Sequence, residues 1–244
     1  ANNIVIGVVA GDAFGTAAVE QTVLIGNYSG SSINHADASG TTCVGYYAGY
    51  AITSGIGNVA IGANALDAAA TSDYNTALGN LTLSAVNGDG TGGNTAIGAQ
   101  AGRRITSGVY NTAIGMNALD GADGGESYNI AIGHNAMGDV NHDDADKNVI
   151  IGAAAGDEIG ANALADTVII GYGAVSDVAT SAASGTVAIG SGALQLLTSG
   201  ADNIAIGYQA MDALTTGEKN IAIGRNAIGN GSNAGVDYNI AIGM

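Results

Sequence analysis

The residues best suited to chemistry in this chain are three histidines, one cysteine and an acidic segment. His35, His134 and His142 are far apart in the sequence, and their spacing indicates no Ser/His/Asp or Cys/His arrangement. Cys43 is the only cysteine, so the chain can form no intrachain disulfide. We therefore predict no catalytic residue and interpret Cys43 as a small buried hydrophobic residue.

The densest acidic segment is residues 141–147, where Asp143, Asp144 and Asp146 offer oxygen atoms that suit Ca²⁺. The segment lacks the EF-hand pattern, and the Ca²⁺-binding nonapeptide of RTX proteins is absent from the chain. The glycine-rich stretch 87–90 is neither a P-loop nor a dinucleotide fingerprint. We expect a solvated acidic loop, and we predict no bound metal and no cofactor.

Four tyrosines stand at one recurring position, immediately before an asparagine: Tyr74, Tyr110, Tyr128 and Tyr238. Aromatic rings at a fixed spacing can stack on the sugar rings of a glycan. The alternative, which we favour, is a packing stripe that covers the edge of the fold or contacts a neighbouring chain.

Composition excludes several classes of partner. With 21 acidic and 5 basic residues the net charge is -16, which repels nucleic acid. The longest apolar runs, such as 149–155, are far shorter than the roughly 18 residues of a membrane-spanning helix, so we predict no membrane insertion. The 41 glycines, the absence of proline and tryptophan and the single phenylalanine indicate a thin core of small side chains.

A short repeat runs through the whole chain. Each copy has Asn or Thr, a β-branched residue, a mostly small residue, an aliphatic residue and an anchor glycine. The copies are 17 to 19 residues apart, which is typical of a solenoid. The fourteen anchor glycines are Gly7, Gly26, Gly45, Gly62, Gly79, Gly98, Gly115, Gly133, Gly152, Gly171, Gly190, Gly207, Gly224 and Gly243.

The side chains of each repeat suggest two apolar faces and a polar ladder. Residues one and three before the anchor share one face of a strand, and we predict that this face points inward. The alanine between them faces the other way, and we predict that partner chains cover it. Stacked asparagines should hydrogen-bond as a ladder. The predicted ladder is Asn58, Asn75, Asn94, Asn111, Asn129, Asn148, Asn203, Asn220 and Asn239. The predicted inward row is Ile61, Ile97, Ile114, Ile132, Ile151, Ile170, Ile189, Ile206 and Ile223. The predicted chain-chain interface is Ala60, Ala77, Ala96, Ala113, Ala131, Ala188, Ala205, Ala222 and Ala241.

The rest of each repeat predicts a second short strand and a loop. Dipeptides such as Ala65-Leu66 and Ala210-Met211 follow the anchor by three residues and suggest the second strand. Glycine, serine, threonine, asparagine and aspartate then form the loop, which absorbs the variation in length. We predict an all-β chain, a parallel β-roll or β-solenoid of about fourteen coils of 17–19 residues. Residues 1–244 are expected to form a single solenoid domain, a fragment of a longer fibrous protein.

The phrases at 94–98, 111–115 and 203–211 resemble the head repeat of YadA-like trimeric autotransporter adhesins and the related repeats of phage and prophage tail fibres. The resemblance covers the whole chain and implies a left-handed parallel β-roll in which three chains associate. The coils here are longer than the minimal family repeat. A homotrimer is also expected because the thin coil would otherwise leave an apolar stripe in water. Replacing Ala113 and Ala205 by leucine should then block the close approach of chains.

We expect a structural, non-enzymatic segment of an extracellular fibre, on a virion or a bacterial cell surface, that presents a recognition surface. One alternative is an adhesin head that binds host matrix or glycan directly. Another is a carbohydrate-cleaving tailspike, which would need two nearby carboxylates. The expected partners are two further copies of the chain and a cell-surface glycan or protein receptor.

Overall fold

The fold is a stack of three-residue strands, as seen in a computed structural model that describes residues 2–15, 17–88, 90–140, 142–159, 164–176, 183–229 and 236–244. Two 3₁₀ helices, Asp12–Phe14 and Ala36–Ala38, are the only helices among these residues. The strands are β1 Ile4–Ile6, β2 Val23–Ile25, β3 Thr42–Val44, β4 Val59–Ile61, β5 Thr76–Leu78, β6 Thr95–Ile97, β7 Thr112–Ile114, β8 Ile130–Ile132, β9 Val149–Ile151, β10 Val168–Ile170, β11 Val187–Ile189, β12 Ile204–Ile206, β13 Ile221–Ile223 and β14 Ile240–Ile242.

The chain divides into two compact units. The first comprises Ala1–Asn117 with Asp123–Gly125 and holds β1 to β7. The second comprises Ala118–Ala122 with Glu126–Met244 and holds β8 to β14. In each unit every strand pairs in parallel with the next along the chain, and equivalent residues of neighbouring repeats are partners. The prediction of an all-β parallel solenoid is confirmed.

Each strand begins with a β-branched residue and is followed directly by the anchor glycine. The β-branched side chains favour the extended backbone, and main-chain hydrogen bonds join neighbouring coils, as in Val59 N–H to Asn75 O at 2.8 Å. The strand ends at the anchor glycine, where φ lies between 129° and 144°. Such angles are almost exclusive to glycine, and neighbouring anchor glycines also approach each other closely.

The predicted second strand is wrong. The Ala-Leu and Ala-Met dipeptides lie in turns, and the second residue of each has a left-handed backbone, with φ of 51° at both Leu66 and Met211. An extended strand cannot contain such a residue. Hydrogen bonds between coils nevertheless continue through these turns, as in Leu66 N–H to Thr82 O at 3.0 Å and Met211 N–H to Ala227 O at 2.9 Å.

Small and medium apolar side chains fill the interior of each coil. In the coil of β4 these are Ala60, Ala65, Leu66 and Ala69, all fully buried. Such thin cores depend on stacking, because each coil is covered by its neighbours along the chain. Among the described residues, no helix is long and apolar enough to cross a membrane. The assignment of residues 1–244 to a single domain stays a prediction.

Candidate functional site

A ladder of buried asparagine side chains runs along the first unit. Asn94 shows its geometry: its Oδ1 accepts from Asn111 N–H at 2.9 Å and from Asn111 Nδ2 at 3.1 Å. Its own Nδ2 donates to Asn75 Oδ1 at 3.2 Å and to Gly108 O at 2.9 Å. Asn75 is bound to Asn58 in the same way. The Asn94 amide therefore makes one hydrogen bond within its own coil and further hydrogen bonds to the coil before and the coil after.

The second unit contains the same arrangement. Asn148 Nδ2 donates to Asn129 Oδ1 at 3.0 Å, Asn220 Nδ2 to Asn203 Oδ1 at 3.1 Å and Asn239 Nδ2 to Asn220 Oδ1 at 3.0 Å. Four coils have threonine in this slot: Thr22, Thr41, Thr167 and Thr186. The buried hydroxyls of Thr22 and Thr186 have no hydrogen-bond partner among the described residues. Because one hydroxyl offers fewer bonds than an amide, threonine is the weaker ladder residue.

The predicted orientation of the two strand faces is wrong. The alanines that were expected at a chain-chain interface point into the coil: Ala60, Ala77, Ala131, Ala188, Ala205 and Ala222 are 0% exposed, and Ala96 and Ala113 are 1% exposed. Only Ala241, in the last strand, is partly exposed. The isoleucines expected inside are all partly exposed: Ile61, Ile97, Ile114, Ile132, Ile151, Ile170, Ile189, Ile206 and Ile223. A coil of 17 to 19 residues encloses little volume, so the smaller row lies inside.

A pattern of compensating sizes in the sequence supports this orientation. The residue in the middle of the strand and the residue four after the anchor both face the interior, and in most coils a large residue at one position accompanies a small residue at the other. The coils with Ala96 and Gly102 and with Ile169 and Val175 are exceptions. Leu24 is matched by Gly30 and Ile150 by Gly156, whereas Ala205 is matched by Met211. A Cβ added to Gly30 would lie 2.7 Å from Leu24 Cδ2. Such complementarity is expected only of side chains that share one closely packed core.

We predict that Ala205→Leu destabilises the coil itself and that a second change partly rescues it. The added atoms overpack a filled interior and should cost about 2 kcal/mol of unfolding free energy. Met211→Gly, which copies the Leu24 and Gly30 pair, should recover at least about 1 kcal/mol relative to the sum of the single changes. Denaturant unfolding of the four proteins in a double-mutant cycle measures this coupling. Additive effects would show that the two side chains do not share a core.

The outward face of the strands is an uncharged and largely apolar strip, defined in each unit by the first and third residues of its strands. These residues are aliphatic except for Thr42, Thr76, Thr95 and Thr112. We call this surface the apolar strip. Ile97 and Ile223 are both 37% exposed, Ile130 is 38% and Leu78 is 42%. None of the fourteen strands in the described part of the chain contains a charged residue. Contiguous exposed apolar surface of this kind marks an interaction site in a soluble protein.

Two members of the tyrosine row, Tyr74 and Tyr110, pack against glycines. Tyr74, Tyr110, Tyr128 and Tyr238 are 48% to 73% exposed, and each has a left-handed backbone with φ near 60°. A Cβ on Gly57 would lie 3.0 Å from the Tyr74 ring, and one on Gly93 would lie 2.8 Å from the Tyr110 ring. In the first unit, these two tyrosines therefore cover the backbone of the preceding coil with one side of each ring.

The histidines have local structural contacts. His35 Nδ1 accepts from Asp37 N–H at 3.2 Å, and His142 Nδ1 accepts from Asp144 N–H at 3.1 Å. In the acidic segment Asp146 Oδ1 accepts from Ser127 N–H at 2.7 Å, whereas Asn141 lies outside the described residues. Within the described part of the chain, no three His, Cys, Asp or Glu side chains form a group that could hold a metal ion.

The side chains of Cys43 and Asp157 both have a raised pKa. Burial raises the pKa of Cys43 to about 12, so its thiol is protonated and unreactive at neutral pH. Partial burial also raises the pKa of Asp157, and the negative charge of Asp139 on the neighbouring coil adds to this, while a hydrogen bond from Asn135 opposes it. A carboxyl of raised pKa beside a second carboxyl is a feature shared with glycosidases. Asp139 and Asp157 do not line the cavities around Ala241, Tyr208 or Thr106.

No protein-family model, curated protein or solved structure matches this chain.

Proposed function

We propose that this chain is a non-enzymatic segment of an extracellular fibre, a left-handed β-roll that associates with two further copies of itself. It would lie on a virion or a bacterial cell surface and present a recognition surface away from the particle. The observation that supports this proposal best is the apolar strip on the outward face of stacked, in-register strands. The resemblance of the repeat to YadA-like heads and phage fibres points to the same assembly.

The location of charge supports other copies of the chain as the occupants of the strip. The chain has a net charge of -16, so two copies repel each other unless they meet at a surface that lacks charge. The outward strand residues provide such a surface, because they are all aliphatic or β-branched. Burial of exposed isoleucine and valine side chains contributes about 25 cal/mol per Å². A strip repeated on every strand can therefore offset the repulsion between loops.

The proposed assembly is tested by placing one charge on the strip. Ile206→Glu should convert the trimer to monomers, because a buried carboxylate without a partner costs several kcal/mol at each of three copies. The monomeric variant should keep its fold, because the Ile206 side chain points outward. Sedimentation velocity gives the mass relative to the 23.6 kDa chain, and circular dichroism reports the β structure.

A matched control is Leu196→Glu, which replaces another exposed aliphatic residue, 44% exposed, at a position outside the strands. It adds the same charge and should leave the trimer intact. A wild-type chain that sediments as a monomer would refute the assembly. So would an Ile206→Glu variant that remains as trimeric as the control.

The rival cleaving activity is tested with polymeric capsular and lipopolysaccharide glycans. We expect the purified chain to leave their length distribution unchanged. Shortened products that disappear with Asp157→Asn would refute the non-enzymatic proposal, because one carboxyl would then act in hydrolysis.

A further inference from the structure

A cavity of about 200 Å³ opens on the second unit, between two tyrosines of the coils that begin with β10 and β12. Its lining residues are Tyr172, Gly173, Ser191, Gly192, Gln195, Tyr208 and Gln209. The tyrosines each follow an anchor glycine and are exposed, at 70% for Tyr172 and 48% for Tyr208. They leave the backbone two coils apart, roughly 10 Å along the stack. That separation accommodates one flat ring with van der Waals contacts of about 4 Å on each side.

The cavity exists because two successive coils lack a side chain at one position. Two residues after the anchor, most coils have a non-glycine residue with a left-handed backbone, such as Asn64, Gln100 or Asn135. Gly173 and Gly192 have the same backbone, with φ of 59° and 66°. This conformation therefore does not require glycine in this fold. The two glycines are distinguished by the space that they leave open.

The floor and walls of the cavity offer different groups to a ligand. Two backbone N–H groups of the floor are already used: Gly192 N–H donates to Tyr172 O at 3.0 Å and Gln209 N–H to Ser191 O at 3.0 Å. The side chains of the walls offer further hydrogen-bonding groups to a ligand. A Cβ on Gly192 would lie 3.4 Å from Gln209 Cγ and 3.5 Å from Gln195 Oε1, so both amides border the open volume.

The chemistry of the lining fits an uncharged sugar ring. A pyranose presents C–H bonds on its faces, which pack on aromatic rings, and hydroxyls at its rim that both donate and accept hydrogen bonds. Tyrosine supplies the aromatic surface, and the glutamine amides and the Ser191 hydroxyl supply donors and acceptors. No lining residue is charged, so the cleft offers no ion-pair partner to an anionic ligand. The volume equals that of roughly six or seven water molecules, which suits one monosaccharide unit.

We propose that this cavity, the Tyr172–Tyr208 cleft, binds one uncharged pyranose unit of a glycan. The proposal deepens the proposed function, since it names a ligand class for the recognition surface and rests on the chain being displayed outside a cell. Arg225 Cζ lies 5.3 Å from the centroid of the Tyr208 ring, and this cation–π contact holds that wall in place. A single ring in a small open cleft should bind with a dissociation constant of about 1 mM. Three clefts on one fibre would bind a multivalent glycan more tightly.

The test measures binding of methyl glycosides to the full chain by saturation-transfer NMR and by titration. The glycosides are those of glucose, galactose, mannose, N-acetylglucosamine and glucuronic acid. At least one uncharged glycoside should bind in the millimolar range. Tyr172→Ala removes a wall, and Gly192→Asn fills the cleft with a residue that other coils have at this position, as at Asn64. Each change should weaken binding by at least about tenfold.

Two matched controls separate loss of the cleft from general damage. Ala154→Asn adds the same side chain at the same position of the coil of β9, two coils before Gly192 and outside the lining. Tyr74→Ala removes an exposed tyrosine from the first unit. Both should bind within about twofold of the wild type. Binding of no glycoside, binding of glucuronoside alone, or equal binding by Gly192→Asn would each overturn the proposal. Sedimentation of the same samples reports the trimer independently, so failure of the cleft and failure of the assembly are distinguishable.

Discussion

Gly207→Ala should be among the most destabilising single substitutions in the chain, with a loss of about 4 kcal/mol of unfolding free energy. The anchor glycine has φ of 137°, and a Cβ there would lie 2.5 Å from Gly224 O and 2.6 Å from Gly224 C in the neighbouring coil. Backbone strain alone contributes about 1–3 kcal/mol. The clash adds to this, because it is with backbone and can be relieved only by separating the coils. Thermal unfolding at fixed protein concentration should show a midpoint lower by roughly 8–16 °C.

The control for Gly207→Ala is Gly40→Ala. Gly40 also has a positive φ, of 83°, but nothing lies within 4 Å of the position that a Cβ would occupy. It therefore isolates the conformational strain, and we expect a loss of about 1 kcal/mol. Equal losses for the two substitutions would mean that the coils are not stacked closely at their anchor glycines.

Asn94→Ala should cost about 3 kcal/mol, the second of the large effects. The substitution leaves the buried N–H of Asn111 and the carbonyl of Gly108 without the partners that they have in the ladder. Each buried orphan group costs about 1–3 kcal/mol. The resulting decrease in the unfolding midpoint, roughly 6–12 °C, is measured by calorimetry or circular dichroism.

Three further variants test whether the loss at Asn94 comes from the ladder. Asn94→Thr introduces the residue found at Thr41 and Thr167 and should be less damaging than alanine. Asn94→Asp keeps an acceptor but buries a carboxyl, whose folded-state pKa is raised. Its stability should therefore be greatest below the unfolded pKa of about 3.9 and decrease as the pH rises above it. Asn80→Ala removes an exposed amide and should change stability by no more than about 0.5 kcal/mol. If Asn94→Ala is as mild as Asn80→Ala, the ladder contributes little.

Exposed aromatic side chains occur on more than one surface of this fold. Tyr28, Tyr46, Tyr47 and Tyr50 form an aromatic group in the first unit, with ring centroids 4.5 to 4.7 Å apart between Tyr47 and each of the other three. These rings stack mainly on one another. The Tyr172–Tyr208 cleft differs because its two rings have an open space between them, bordered by amides. That difference is the reason for assigning the ligand to the cleft.

Some features of the site were predictable from residues alone. The fixed interval between anchor glycines predicts coils in register, because equivalent residues pair when every repeat is the same length within two residues. The recurrent asparagine predicts a ladder of amides for the same reason, and the structure contains hydrogen bonds such as that between Asn148 and Asn129. The positive φ of the anchor follows from the presence of glycine in all fourteen copies.

Other features depended on closing the coil in three dimensions. A strand period of two distinguishes two faces but does not indicate which one is inside, and the predicted sides of Ala205 and Ile206 are therefore wrong. The predicted strand at Leu66 is wrong because apolar content alone does not reveal a left-handed backbone. The Tyr172–Tyr208 cleft required knowledge of which positions lie side by side on successive coils.

The parallel, in-register pairing of the coils follows from the repeat, because a repeated residue pattern specifies the same local hydrogen bonds at every step. Which side chains are enclosed depends on the volume inside a closed coil. A coil of 17 to 19 residues has room for alanine opposite methionine, or for leucine opposite glycine, and the isoleucine that precedes the anchor glycine lies on the outward face.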